Sequence, residues 1–90
     1  MGTNLMGELV ADMGTYIANN TTEVTRTIEA IVVLQDTVFT SIKVAGTDVK
    51  STYIAATGTA VKAGAIITPI NNLQFSGVQL ASGSVALVLG

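Results

Sequence analysis

The sequence predicts a small all-β protein: an antiparallel sandwich, jelly-roll or barrel with an N-terminal helix or arm. From residue 21 onward Thr, Val, Ile and Ala dominate, and branched side chains pack well on a pleated sheet. About six short apolar runs recur at roughly ten-residue spacing, separated by turn residues. A chain of 90 residues supports one domain. We therefore divide it into an N-terminal segment, residues 1–20, and a single β domain, residues 21–90.

The N-terminal segment has apolar residues at helical spacing, and Asn4 is a candidate N-cap. Gly7 and Gly14 each weaken a helix by about 1 kcal/mol relative to Ala. The segment is predicted either as an amphipathic helix packed on the protein's own sheet or as an arm that orders only on contact. Its apolar residues are the candidate contacts with a partner or with another copy of the chain: Leu5, Met6, Leu9, Val10, Met13, Tyr16 and Ile17.

Two long strands are predicted in the first half of the β domain. Residues 25–34 alternate at first and then become apolar on both faces, as in a strand that is covered on two sides. A two-residue turn at Gln35 and Asp36 leads to a second strand at residues 37–44. Residues 45–48, which include Gly46 and Asp48, are predicted as the next turn.

Two shorter strands follow, at residues 52–56 and 65–70. Pro69 ends the second strand or places it at a sheet edge, because proline cannot donate a hydrogen bond to a ladder. Asn71 and Asn72 then turn the chain.

The C-terminal residues give the clearest local pattern. Residues 73–80 and 85–89 flank Gly83 and are predicted to pair as a tight hairpin. The apolar face of the first of these strands shifts by one residue at Ser76 and Gly77, which indicates a β-bulge.

The composition predicts self-association. Hydrophobic residues make up 49% of the chain and charged residues 11%, against about 25% charged in an average soluble domain. A monomer of this size buries only about 60% of the surface that its unfolded chain exposes. Some apolar surface therefore remains outside, and such surface marks contact sites. We expect a homo-oligomer.

Charge and hydropathy argue against nucleic acid and membrane as partners. The longest wholly apolar run covers residues 30–34, far short of the about 20 residues that a membrane span needs. The N-terminus lacks the basic and apolar regions of a secretory signal peptide. The basic residues are scattered and form no stripe that could follow a phosphate backbone: Arg26, Lys43, Lys50 and Lys62.

The residue types present argue against an enzyme. The chain has no His and no Cys, so the commonest general base, the thiol nucleophile and the usual zinc ligands are missing. Ser41 and Lys43 share a strand face, where their proximity is automatic, and we interpret them as a solvated face. Glu8 and Asp12 would share one side of a helix without further oxygen ligands. We expect no metal and no cofactor.

The remaining acidic and aromatic residues have structural interpretations. Asp36 and Asp48 fall in predicted turns, where Asp commonly caps the backbone. A sugar-binding site needs an aromatic platform, and the chain has no Trp. The aromatic residues are Tyr16, Tyr53, Phe39 and Phe75, the last two in strand patterns typical of core positions.

Three stretches of the β domain carry a recognisable pattern: residues 30–39 (AIVVLQDTVF), 64–70 (GAIITPI) and 75–85 (FSGVQLASGSV). An acidic turn before an apolar strand, a glycine-led segment and a final aromatic, small, apolar, Leu-x-Ser-Gly hairpin follow one another. In this order they resemble a group of very small bacteriophage virion proteins. The resemblance runs from Thr27 to the C-terminus and leaves residues 1–20 unmatched.

The resemblance implies a virion component, foremost a capsid decoration (cement) protein on the capsid surface. Such proteins are often trimers that lie over junctions between capsomers, so a homotrimer that contacts the major capsid protein is expected. A tail, neck or fibre component is the first alternative, since it would share composition and fold. A carbohydrate- or receptor-binding module is the alternative from another class.

Overall fold

The computed structural model describes residues 14–90, which form seven strands and one short helix. Every strand pair is antiparallel, and the strands form two sheets, which confirms the predicted all-β sandwich. In chain order the elements are β1 (Thr15–Ala18), β2 (Ile28–Val33), β3 (Val38–Val44), β4 (Thr47–Asp48), α1 (Lys50–Tyr53), β5 (Ile66–Ile67), β6 (Gly77–Ser82) and β7 (Val85–Leu89).

The two sheets enclose the hydrophobic core. One sheet has four strands in the order β1-β7-β2-β5, and the other has three in the order β4-β3-β6. Alternate residues of each strand point inward, as the two-residue period of a strand requires. The inner positions are apolar and almost fully buried: Ile28, Ile31, Val33, Phe39, Ile42, Phe75, Val78, Leu80, Val85 and Leu87.

The strand predictions at residues 37–44 and 85–89 are confirmed by β3 and β7. The strand predicted at residues 25–34 is shorter, Ile28–Val33, and its pairing with β7 shifts register between Ile28 and Ala30. Because of this shift, Ile28 and Ile31 both reach the core although they lie three residues apart.

The predicted hairpin around Gly83 is wrong. β6 pairs with β3 in the three-stranded sheet, whereas β7 pairs with β1 and β2 in the other sheet. The connection is therefore an arch that crosses the core, and the turn at Gln35 and Asp36, between β2 and β3, is another. Two strands that each have one apolar face bury more apolar surface when they face each other from opposite sheets than when they pair side by side in one sheet. A glycine between them is compatible with either connection.

The two arches are joined by hydrogen bonds around Thr37, which is completely buried. The Thr37 hydroxyl donates to the Gln35 carbonyl at 2.7 Å. The Leu34 N–H donates to the Ser84 carbonyl at 3.0 Å, and the Ser84 hydroxyl bonds Gln35 Oε1 at 3.1 Å. These bonds hold the two sheets together at one end of the sandwich.

The shift in apolar phase at Ser76 and Gly77 marks a change of partner instead of the predicted bulge. Phe75 bridges Ile28 of the four-stranded sheet, and Gly77 begins β6 in the three-stranded sheet. The register shifts between β3 and β6 lie elsewhere, between Val38 and Phe39 and between Phe39 and Ser41.

The strand predicted at residues 52–56 is wrong, because the chain forms the helical turn α1 at Lys50–Tyr53 instead. Asp48 Oδ1 accepts hydrogen bonds from the N–H groups of Lys50 and Ile42, at 3.1 and 3.2 Å. This bonding favours a turn over the extended chain that Thr52 and Tyr53 prefer by themselves. Asp48 also ends the short strand β4, where a turn alone was predicted.

The strand predicted at residues 65–70 is shorter in the structure, where only Ile66–Ile67 form β5 at the edge of the four-stranded sheet. Pro69 follows it, as expected for a residue that cannot join a ladder.

The helical spacing predicted over residues 1–20 is wrong at Tyr16 and Ile17, which belong to strand β1. β1 pairs with β7 along its whole length, from Thr15 opposite Val88 to Ala18 opposite Val85. The β domain therefore includes Thr15–Ala18, because β1 covers an apolar central strand that would otherwise form an edge. The candidate contacts Leu5, Met6, Leu9, Val10 and Met13 lie outside the described residues.

Candidate interaction surface

The side of the four-stranded sheet that faces away from the core is apolar from one edge to the other. Ile17, Ala86, Val32 and Ile66 pair in register across β1, β7, β2 and β5. Their neighbours along the strands, such as Ile31, point into the core, so this row points outward. Ile17 and Ile66 are 49% and 66% exposed.

A second row lies beside the first, formed by Thr15, Val88 and Ala30. We call the two rows together the outer face. None of its seven residues is charged or carries an amide. Glu29, at the register shift of β2, instead accepts a hydrogen bond from Gln74 Nε2 at 2.6 Å. The outer face is therefore an uncharged strip in which Ile17 and Ile66 are exposed, whereas Val88 is buried.

Exposed apolar side chains also gather along the β5 side of this sheet. We call this group the β5 edge. Residues 63–73, which supply most of it, have no charged side chain. Four of the large apolar residues that are most exposed lie here: Leu34, Ile66, Ile70 and Leu73, at 46%, 66%, 45% and 47%.

The tip of the β5 edge is a tight turn. Asn71 and Asn72 have φ angles of 56° and 59°, and the Leu73 N–H donates to the Ile70 carbonyl at 3.0 Å. Two central residues with positive φ define a type I′ turn, a conformation that Asn tolerates. The Ile70 N–H also donates to the Tyr53 hydroxyl at 3.1 Å. Ile70 and Leu73 are thus fixed on the two sides of a defined turn.

Asp36 and Asp48 bind backbone N–H groups, as predicted, although Asp48 ends strand β4 and does not lie in a turn. The Ala63 N–H, which bonds Asp36 at 3.0 Å, and the Lys62 ammonium lower the pKa of the Asp36 carboxyl. Burial opposes ionisation of Asp48. The N–H groups of Lys50 and Ile42, together with the charges of Lys50 and Lys43, outweigh it and lower the pKa of Asp48. Both carboxylates therefore stabilise loops in their charged form.

Ser41 and Lys43 lie on β3, as predicted, but Lys43 is bound elsewhere. Its ammonium forms an ion pair with Glu23 at 2.7 Å. An ammonium held by a carboxylate is a poor general base. Ser41 is 7% exposed, and its hydroxyl has no hydrogen-bond partner among the described residues. The predicted solvated face is therefore wrong for Ser41, whose side chain is buried, while the ion pair favours a structural interpretation of Lys43.

The aromatic residues do not form a platform. Phe39 and Phe75 are core residues, as predicted, and Phe75 packs edge-on against Tyr53 with ring centroids 5.1 Å apart. The face of Tyr16 is occupied by the Arg26 guanidinium, 4.7 Å from the ring centroid. Neither tyrosine presents a free ring face beside another aromatic ring, as sugar binding would favour.

Among residues 14–90 no cluster of three or more acidic side chains could hold a metal ion. Within the same residues, no helix is long and apolar enough to span a membrane.

Of the predicted contact residues that the structure describes, Tyr16 and Ile17 lie on the edge strand β1, and both are exposed. The β5 edge was not among the predicted contact residues. Two signals could have found it: the uncharged run at residues 63–73, and the Asn71-Asn72 turn with an apolar residue on each side.

Comparison of the chain with protein-family profiles, with curated proteins and with solved structures returned no match.

Proposed function

We propose that this chain is a structural protein of a bacteriophage virion, and specifically a capsid decoration (cement) protein. In this role it forms a homo-oligomer, with a trimer as the favoured state, and bridges subunits of the major capsid protein. The observation that carries the assembly role is the uncharged β5 edge. The assignment to a virion is based on the resemblance of residues 27–90 to small phage virion proteins.

The chemistry of the β5 edge suits a protein contact. Burying Leu34, Ile66 and Leu73 removes apolar surface from water, which contributes about 25 cal/mol per Å². No charge has to be desolvated within residues 63–73, so the gain is not offset by the cost of burying an ion.

The conformation of the edge suits a contact as well. The type I′ turn and the bond from Ile70 to Tyr53 fix the tip before binding. Less conformational entropy is therefore lost on association than for a mobile loop. On a capsid many copies bind at once, so a modest single contact becomes strong through avidity.

Self-association is tested by light scattering at micromolar concentration. We expect a mass well above the 9.2 kDa of one chain. Ile66→Lys and Ile70→Lys each place a charge on the β5 edge and should shift the mass toward the monomer. Thr47→Lys is the matched control, because it adds the same group to an exposed edge strand of the other sheet. A monomeric parent protein would contradict the assembly role.

The location is tested by cryo-electron microscopy of the virion. Density for this chain over the junctions between capsomers would support decoration. Density confined to the tail, neck or fibres would contradict decoration and show that the chain is a tail, neck or fibre component. If the protein bound specific glycans on an array and the Tyr53→Ala variant did not, the decoration role would be contradicted in favour of a carbohydrate-binding module.

A further inference from the structure

Strand β5 lies at an edge of its sheet, and its pairing with β2 determines where its backbone groups point. The Val33 N–H donates to the Ala65 carbonyl at 2.9 Å. In an antiparallel ladder, pairs that exchange hydrogen bonds alternate with pairs that exchange none. The next pair along, Val32 opposite Ile66, is therefore of the second kind. The N–H and the C=O of Ile66 thus both point away from β2, toward the free side of the edge.

Both backbone groups of Ile66 are available to another strand. Neither has a hydrogen-bond partner within residues 14–90. The Ile66 side chain is 66% exposed, so nothing in the described part of the chain shields this position. Pro69 lies beyond the end of β5, so it limits the length of a new pair without removing the donor of Ile66. The edge therefore presents an unpaired donor and acceptor, which is the pattern that pairs with a further strand.

The other sheet edges have protection that β5 lacks. Strand β4 carries Asp48, and the free side of β6 exchanges hydrogen bonds of 2.8 and 2.9 Å with Val24. On β1 the Arg26 guanidinium lies over the ring of Tyr16 and places a cation at that edge. Charges and covering chain are the devices by which natural sheets prevent pairing at their edges. Residues 63–73 have no charge, so β5 is the edge best suited to pairing.

We propose that β5 pairs antiparallel with β5 of a second copy of this chain, about a two-fold axis at Ile66. On such an axis a residue exchanges both of its hydrogen bonds with its own counterpart, and Ile66 offers both. A two-fold contact also brings each residue near its counterpart, so a charge would face a like charge. The uncharged run at residues 63–73 meets this requirement, which favours a second copy over a partner with a different surface.

This pairing rests on the self-association proposed for the β5 edge and adds the atoms that make the contact. It joins the four-stranded sheets of two copies into one continuous sheet. A pair of short strands is small against the about 800 Å² that a stable interface needs on each partner. The exposed side chains of Leu34, Ile70 and Leu73 therefore have to widen the contact. Because a two-fold contact joins copies in pairs, a trimer needs a further contact elsewhere on the chain.

Amide hydrogen exchange of the full-length chain tests the pairing. We expect the Ile66 N–H to exchange at least about tenfold more slowly where light scattering shows association than at a dilution that gives the monomer. The Ile67 N–H is the internal control, because it points toward Ile31 and should be protected in both states. Equal exchange of Ile66 in both states would overturn strand pairing, while the observed association would still support the assembly role. A chain that never associates would contradict both.

Substitutions at position 66 separate the backbone from the side chain. Ile66→Pro removes the outward N–H and no donor to β2, so the fold should persist while the dissociation constant of the pair rises at least about tenfold. Ile66→Ala loses the same apolar side chain but keeps the N–H, and should associate more strongly than Ile66→Pro. Equal association of the two variants would show that the side chain alone makes the contact and would overturn the proposal. The exchange rates of the parent chain decide the question if Ile66→Pro does not fold.

Disulfide formation identifies the occupant and its register, since the chain has no native cysteine. Residues opposite each other in a hydrogen-bonded pair have Cα atoms about 5.5 Å apart, a distance that a disulfide spans. With an added oxidant, Ile66→Cys should therefore give a covalent dimer. Ile70→Cys is the control at the same edge: four residues from the axis, its two thiols lie about 27 Å apart along the strands and should not join. Equal yields from the two variants, or no dimer from Ile66→Cys, would refute the two-fold pair.

Discussion

The arch between β6 and β7 makes a sharp prediction for Gly83. A Cβ at this position would overlap the Thr37 hydroxyl and lie 2.6 Å from the Asp36 carbonyl oxygen and 2.7 Å from Thr37 Cα. Two of these neighbours are backbone atoms, which cannot move aside as the end of a flexible side chain can. In a hairpin between β6 and β7, Gly83 would instead lie at an exposed tip without these contacts.

The cost of Gly83→Ala has two parts. The φ of +91° costs a residue with a Cβ about 1 kcal/mol. Forcing a methyl group into filled space costs about 2 kcal/mol more. We therefore expect a loss of about 3 kcal/mol, a large share of the stability of a 90-residue domain, which is about 5 to 13 kcal/mol.

Gly64→Ala is the matched control for the backbone part. Its φ of +94° is nearly the same, but a Cβ there would meet nothing within 4 Å. The gain from a less flexible unfolded chain is equal in the two variants and cancels. The difference between them isolates the steric part and should be about 2 kcal/mol.

Urea unfolding followed by circular dichroism measures both variants. With an m-value of about 1 kcal/mol/M, Gly83→Ala should lower the midpoint by about 3 M and Gly64→Ala by about 1 M. Equal midpoints would show that Gly83 does not press against Thr37, and the arch would have to be abandoned in favour of a hairpin.

Four further predictions concern the core, the edge strand and the acidic turns. Phe75→Ala should cost about 3 to 5 kcal/mol in urea unfolding, because it empties a fully buried site; a loss under 1 kcal/mol would contradict that burial. Ser41→Ala should raise the free energy of unfolding by about 1 kcal/mol, since it removes a buried hydroxyl that has no hydrogen-bond partner among residues 14–90; clear destabilisation would reveal a partner. Deleting residues 1–20 removes β1 and should destabilise the β domain; an unchanged thermal transition would show that β1 contributes nothing. Because the folded pKa of Asp36 and of Asp48 is lowered, their contribution is present above the unfolded value of about 3.9 and is lost as pH falls through the lower folded values. Asp48→Asn, which keeps an acceptor oxygen, should make acid unfolding below pH of about 4 less steep, and an identical acid profile would argue against this role.

The sequence predicts strands well where both faces of the strand have a clear environment. Residues 85–89 match β7 at both ends, and residues 37–44 match β3 within one residue. In these segments β-branched residues, alternation and flanking turn residues agree with one another. The backbone bonds of Asp48 were predictable, because its carboxylate binds N–H groups only two and six residues away. Asp36 instead binds the Ala63 N–H, 27 residues away, a partner that no local pattern contains.

The predictions fail where distant parts of the chain decide the structure. Whether Gly83 lies in a hairpin or in an arch depends on Thr37, almost fifty residues away, which no local pattern contains. Lys50–Tyr53 is helical because Asp48 binds two backbone N–H groups, although Thr52 and Tyr53 prefer strands. The spacing of Tyr16 and Ile17 fits a helix and a short strand equally well, and only β7 decides between them.

The sequence predicted that apolar surface would be exposed, but it predicted only some of the residues that form this surface. Low charge and high apolar content predicted contact surface, and Ile17 was among the predicted residues. Ile70 and Leu73 were missed because they were assigned to the predicted strands at residues 65–70 and 73–80, whereas the observed strands end at Ile67 and begin at Gly77. Here two consecutive Asn residues with positive φ and the bond to Tyr53 hold this turn at the sheet edge, where it stays exposed.

The two edges of the four-stranded sheet both expose apolar side chains, and their responses to mutation show whether association uses one edge or both. Ile70→Lys places a charge on the β5 edge and should decrease the mass measured by light scattering. Ile17→Lys places the same charge on β1, the strand at the opposite edge, and should leave the mass unchanged if the β5 edge alone makes the contact. Light scattering of the two variants and of their combination thus tests through which edge a chain with 11% charged residues associates.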